Sequence, residues 1–145
     1  MKGVLIAMGL WLFLELYSRA EDATPSPAMS LPESISLEQF REFVTGKRGL
    51  VLDVRAEESY RAGHVPGAIS LPDLNFETGY ARLRSFLTAK KVKPIVVYCS
   101  SETCSGSEWI QKQLLNRGFT HVSRFRGGWQ AWTEAGLGQE VPSSH

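Results

Sequence analysis

Pro94-Ile95-Val96-Val97-Tyr98-Cys99-Ser100-Ser101-Glu102-Thr103-Cys104-Ser105-Gly106-Ser107-Glu108 reads as a strand, a short loop and the start of a helix. Ile95 to Tyr98 is a β-branched and aromatic run introduced by proline, the pattern of a buried strand. Ser105 and Glu108 stand in capping-box register, which predicts a helix from Ser105 to Arg117 through Trp109, Ile110 and Leu114, closed by Gly118. Cys99 falls directly after the strand. A loop pinned between a strand end and a helix start turns backbone N–H groups inward, and with the helix dipole these form an anion site. A thiol held there is expected to ionise readily and to act as a nucleophile. The hydroxyls of Ser100, Ser101 and Thr103 could donate to a charged sulfur or oxyanion, and Glu102 and Ser105 complete the expected cradle. The competing reading is an inert cysteine buried at the end of a core strand.

Outward from this stretch, short apolar runs alternate with amphipathic ones. Ser36 and Gln39 form a capping box before Leu37, Phe40 and Val44, a helix stopped by Gly46. Gly49 to Val54 predicts a buried strand, Glu57 to Ala62 a short helix ending at Gly63, Pro66-Gly67 a turn, and Ala68 to Leu71 another brief strand. Tyr80, Leu83 and Leu87 share one helix face, Thr120 to Phe125 is a further strand, and Trp129 to Ala135 a last helix before Gly136. This alternation predicts an α/β domain with a mainly parallel sheet, whose ligand site lies at the carboxyl ends of the strands.

The 145 residues fit one domain. Met1 to Ala20 reads as a signal peptide: Lys2, a continuous apolar run from Gly3 to Leu14, then Ser18-Arg19-Ala20 as a cleavage site. Glu15 interrupts the run before a membrane span is complete, although an uncleaved anchor is the alternative. Export to the periplasm or outside the cell is therefore expected, with membrane attachment facing the same compartment if the segment stays. Residues 21–33, with Pro25, Pro27 and Pro32, read as a linker, 34–137 as the domain, and 138–145 as a flexible tail. Removing residues 1–20 takes away Lys2, Arg19 and Glu15 and leaves 14 cationic against 14 acidic side chains. That balance carries no footprint for nucleic acid. Two cysteines exclude a disulfide-stapled miniprotein and a four-cysteine zinc site, and three histidines without an acidic cluster predict no metal.

Four motifs resemble the rhodanese-like domain family. They are Val51-Leu52-Asp53-Val54-Arg55, Gly63-His64-Val65-Pro66-Gly67-Ala68, Val97-Tyr98-Cys99 and Gly127-Gly128-Trp129-Gln130-Ala131-Trp132, in family order between about Ser34 and Gly136. The resemblance implies a rhodanese-like three-layer α/β fold, a five-stranded, mainly parallel sheet flanked by helices. It also implies sulfurtransferase chemistry: Cys99 takes a sulfane sulfur from a small donor as a persulfide and passes it to a thiol or cyanide-like acceptor, with no cofactor. A protein thiol partner is a further possibility.

The loop departs from the family. A basic residue often follows the cysteine there and an arginine stands five positions after it, where this chain has Ser100 and Cys104. No Lys or Arg occurs from Ile95 to Ile110, which argues against efficient use of thiosulfate and against a phosphatase relative needing an arginine grip. Arg126 could return some charge from the opposite rim, or be an ordinary surface arginine. Cys104 could act as a resolving thiol that closes a Cys99–Cys104 disulfide, or fill the helix start as a small hydrophobe. Asp53 and Arg55 are expected to fasten loops, His64 to satisfy turn backbone groups, and Trp129 and Trp132 to pack the core. A non-catalytic binding domain and a thiol–disulfide or reductase-type enzyme using both cysteines are the alternative functions.

Overall fold

The computed structural model describes residues 32–90 and 93–142. The signal peptide, almost all of the linker and the last three residues of the expected tail lie outside the described residues. Five strands form one parallel sheet: β1 (Ser34–Ile35), β2 (Leu50–Asp53), β3 (Ile69–Ser70), β4 (Ile95–Tyr98) and β5 (Val122–Phe125), in the order β1-β5-β4-β2-β3. The helices are α1 (Leu37–Thr45), α2 (Glu57–Ala62), α3 (Phe76–Ala89), α4 (Gly106–Asn116) and α5 (Gly128–Glu134), with a 3-10 turn at Asp73–Asn75 before α3.

Every residue of β4 is buried, and its side chains alternate between two cores. Ile95, Val97 and Cys99 pack with Leu87, Ile110 and Leu114 of α3 and α4 on one face. Val96 and Tyr98 pack with Phe40, Phe125 and Trp132 on the other. This two-residue period in a strand covered on both sides is the reason its sequence is uniformly apolar.

β2 and β4 are neighbours whose onward connections leave in opposite directions, β2 toward β3 and β4 toward β5. Such a switch point opens a crevice at the carboxyl ends. Val54-Arg55 and Cys99-Ser100 both emerge there.

Three local expectations change. β1 is a strand of two residues that the sequence reading left out; it exists through pairing of Ser34 and Ile35 with Arg124 and Phe125. Ser105 occupies the N-cap position of α4, but its side chain caps nothing and its backbone is helical. Glu108 turns instead to Lys112 at 2.7 Å and Arg124 at 3.1 Å, since two cations outcompete one amide. The segment after 138 is fastened at Glu140, which exchanges two backbone hydrogen bonds with His64 and accepts from the Gly67 amide. The α1 capping box forms as expected, with Ser36 and Gln39 bonded reciprocally at 3.2 and 2.9 Å.

Candidate active site

The Cys99 side chain completes the apolar row of β4 and is 4% exposed. Its sulfur is bonded to that of Cys104, whose Cα lies 6.1 Å away. Of the two readings of Cys104, the structure therefore realises the disulfide, while Cys104 also packs against the core beside α4. The loop is held from two sides. Cys104 donates its amide to Ser101 O, and the first residues of α5 donate to the loop's carbonyls, Trp129 N to Cys99 O at 2.8 Å and Gln130 N to Ser100 O at 2.9 Å.

Those bonds need the two backbones to touch, and Gly128 permits it. Its φ is +63°, and a Cβ there would stand 2.6 Å from Cys99 O and 2.8 Å from Ser101 N. A Gly128→Ala change therefore combines backbone strain of about 1–3 kcal/mol with displacement of the loop. The expected result is a lower denaturant midpoint and slower closure of the disulfide. A midpoint equal to wild type contradicts this role.

Among the described residues, the amides of Ser100, Ser101, Glu102 and Thr103 donate to no protein group. The sequence points to the amides and hydroxyls of Ser100 to Ser105 as the cradle; of these amides, that of Cys104 is engaged by Ser101 O. Burial of Cys99 opposes a charged sulfur, and free amides are what can offset it. The Ser101 and Thr103 hydroxyls bond each other at 3.1 Å, and Ser100 is exposed. The helix dipole contributes less than expected. Asp73, which the sequence reading did not single out, sets its carboxylate against Gly106 at the first turn of α4.

Asp53 and Arg55 form a buried pair beneath the crevice. Arg55 Nη2 lies 2.6 Å from Asp53 Oδ2 and 2.7 Å from Gly63 O, and Arg55 Nε reaches both Asp53 oxygens. Asp53 also accepts from Tyr98 OH, which itself accepts from Val65 N at 3.1 Å. Burial opposes the Arg55 charge, but the hydrogen bond and field of Asp53, helped by Tyr98, outweigh it and hold its pKa above the ordinary value. Burial first, and Asp53 second, push the Tyr98 phenol up, so it stays a neutral donor. Trp129 covers Arg55 with its ring centroid 4.4 Å from the guanidinium carbon. Its role is thus partly a lid on this pair, whereas Trp132 is the buried core residue expected.

His64 is occupied by its own turn: Nδ1 lies 3.0 Å from Tyr60 O and the ring stacks on Tyr60 at 3.9 Å. Arg126 faces Glu102 at 3.9 Å on the Cys104 side of the loop, where both line a cavity of about 320 Å³ with Thr103, Cys104 and Arg124. Among the described residues, no three His, Cys, Asp or Glu side chains converge as metal ligands.

Beside the crevice, Glu57 accepts from Ser70 Oγ at 2.7 Å, and this bond, with Arg61 and Arg82 adding, lowers its pKa. A depressed carboxylate pKa adds stability that is present above the unfolded value and lost as pH falls through the folded one. Titration followed by NMR should place the Glu57 midpoint below that of an unperturbed glutamate, and Ser70→Ala should raise it. An unchanged midpoint in that variant contradicts the assignment.

The fold and site together define a parallel α/β domain with a cysteine at the carboxyl end of its central strand, at the switch point. Residues 36–135 match the rhodanese-like domain family, and the chain belongs to that family. It is 30% identical over 108 residues to the thiosulfate sulfurtransferase GlpE of Pseudoalteromonas translucida, covering 74% of this chain and 93% of that protein. It is 32% identical over 105 residues to Protein HIGH ARSENIC CONTENT 1, mitochondrial, of Arabidopsis thaliana, covering 68% of this chain but only 59% of the plant protein. Among solved structures, the rhodanese-like domain of Anabaena Alr3790 superposes with a TM-score of 0.64 at 24% identity, covering 79% of this chain and 88% of that one. The human single-domain sulfurtransferase TSTD1 gives 0.59 at 23% identity, covering 72% and 97%. These two show the common fold.

Proposed function

We propose that the protein is a sulfurtransferase in which Cys99 carries sulfur as a persulfide. The carrying observation is the position of Cys99: at the carboxyl end of β4, at the switch point, followed in the chain by loop amides engaged by no protein group. The relationship to a thiosulfate sulfurtransferase supports the reaction class. After reduction of the disulfide, the Cys99 thiolate attacks a donor's sulfane sulfur and releases the donor's remainder as the leaving group. A thiophilic acceptor such as cyanide then attacks the outer sulfur, yielding thiocyanate and restoring the thiolate.

Cys104 adds a second outcome. Its thiolate attacks the inner sulfur of the Cys99 persulfide, expels hydrosulfide and closes the disulfide seen here. This bond is the observation favouring the thiol–disulfide reading. Export directed by residues 1–20 would put the pair in an oxidising compartment, where it persists. The retained cysteine counts against a purely binding role.

The experiment is to reduce the full chain, load it with one equivalent of a sulfane donor, remove the donor, and divide the sample. Added cyanide should yield thiocyanate, and the portion without cyanide should release sulfide slowly. Cys104→Ser should keep the persulfide and lose sulfide release. Absence of thiocyanate from the wild type rejects sulfur transfer, and sulfide release from Cys104→Ser rejects the resolving step.

A further inference from the structure

The two sulfurs of the disulfide are unequal in three respects. Cys99 is buried within the apolar core under β4, whereas Cys104 is partly exposed. The 320 Å³ cavity beside the loop has Cys104 in its wall and not Cys99. The uncommitted amides of Ser100 to Thr103 follow Cys99, whereas Cys104's own amide is spent on Ser101 O, and the start of α4 that follows it, where the Ser105 amide is also uncommitted, faces the Asp73 carboxylate.

Thiol–disulfide exchange goes faster at the sulfur an attacking thiolate can reach, and when the departing thiolate is stabilised. Here access and leaving-group stability select the same direction. We infer that an external small thiol opens this disulfide by attacking Cys104, with Cys99 departing as thiolate into the amide cradle. The bond formed is between the external sulfur and Cys104 Sγ, and the bond broken is Cys104 Sγ–Cys99 Sγ. No net oxidation occurs in that step. A second equivalent of thiol attacks the mixed disulfide, giving the external disulfide and the Cys104 thiolate, so two thiols together reduce the protein by two electrons.

The cavity favours a small polar thiol. Its volume is at the lower end of small-molecule sites. Its wall carries Arg124 and Arg126 against Glu102 and Glu108, and Arg126 meets Glu102 only at 3.9 Å, so charged groups of an amino-acid or short-peptide thiol can engage either sign. The inference rests on the sulfurtransferase reading for what the freed Cys99 does next: with Cys104 capped as a mixed disulfide, a persulfide on Cys99 has no internal thiol to discharge it. The direction of attack stands independently of that use.

Glutathione is the probe. The air-oxidised full chain is mixed with glutathione, acid-quenched within the first tenth of the reaction, alkylated, and fragment-mapped between positions 99 and 104. The expected result is glutathione on Cys104 and alkyl label on Cys99, at least tenfold over the reverse. An equal or reversed distribution overturns the inference, as does oxidised protein that contains no Cys99–Cys104 bond. Failure of sulfur transfer is read separately, as missing thiocyanate from the reduced, donor-loaded chain, so the two failures cannot be confused.

Discussion

Cys99→Ala is expected to reduce donor-dependent thiocyanate formation by about a thousandfold or more, the scale of loss when a covalent nucleophile is removed. The variant should keep the fold. Alanine preserves the β-carbon in the row Ile95, Val97, Cys99; the disulfide is lost, but the carbonyls of residues 99 and 100 still tie the loop to α5. It leaves Cys104 as a free thiol next to the cavity, so the comparison also asks whether an accessible thiol alone transfers sulfur. It is not expected to, because the unengaged amides belong to the turn that follows Cys99. Thiocyanate formation near the wild-type rate would assign the chemistry elsewhere.

Asp53→Ala is expected to cost about 3–5 kcal/mol, the range for removing one partner of a buried ion pair. For a domain of roughly this size that lowers the melting midpoint by about 12–20 °C. Asp53 is fully buried and Arg55 is 5% exposed as a side chain, so the guanidinium stays in the interior with only Gly63 O and two aromatic faces as company. The Tyr98 hydroxyl also loses its acceptor. Because these groups join the ends of β2 and β4 to the Gly63–Val65 turn, the crevice loosens with the pair. A midpoint within about 4 °C of wild type, about one kcal/mol on the same scale, would mean the pair is compensated by water or rearrangement.

The central parts of the fold were legible because they depend on short-range pattern. Ile95 to Tyr98 is apolar throughout since both its faces are covered, and the Ser36–Gln39 box needs only neighbours three positions apart. What could not be read depends on distant partners. β1 carries no periodicity in two residues and is specified by β5, some ninety positions later. Local spacing predicts Ser105 as a cap, but Glu108 answers to Arg124 across the fold. The Glu140 bridge to His64 and the stacking of Trp129 on Arg55 are likewise tertiary.

The site divides in the same way. Cys99 was identifiable from a strand end in sequence, and Asp53 with Arg55 as fasteners from their types and positions. Whether Cys104 meets Cys99 depended on the path of a short loop, which Gly128 and the α5 amides set from outside it. Asp73 carried no signal, since its position at the start of α4 follows from packing of the 3-10 turn.

Peptide mass spectrometry of the reduced full chain after brief exposure to a sulfane donor decides whether Cys99 carries the transferred sulfur. The expected result is one added sulfur atom on Cys99, approaching one per chain and removed by cyanide; no added sulfur, or sulfur on Cys104 with Cys99 unmodified, rules out sulfur transfer through Cys99.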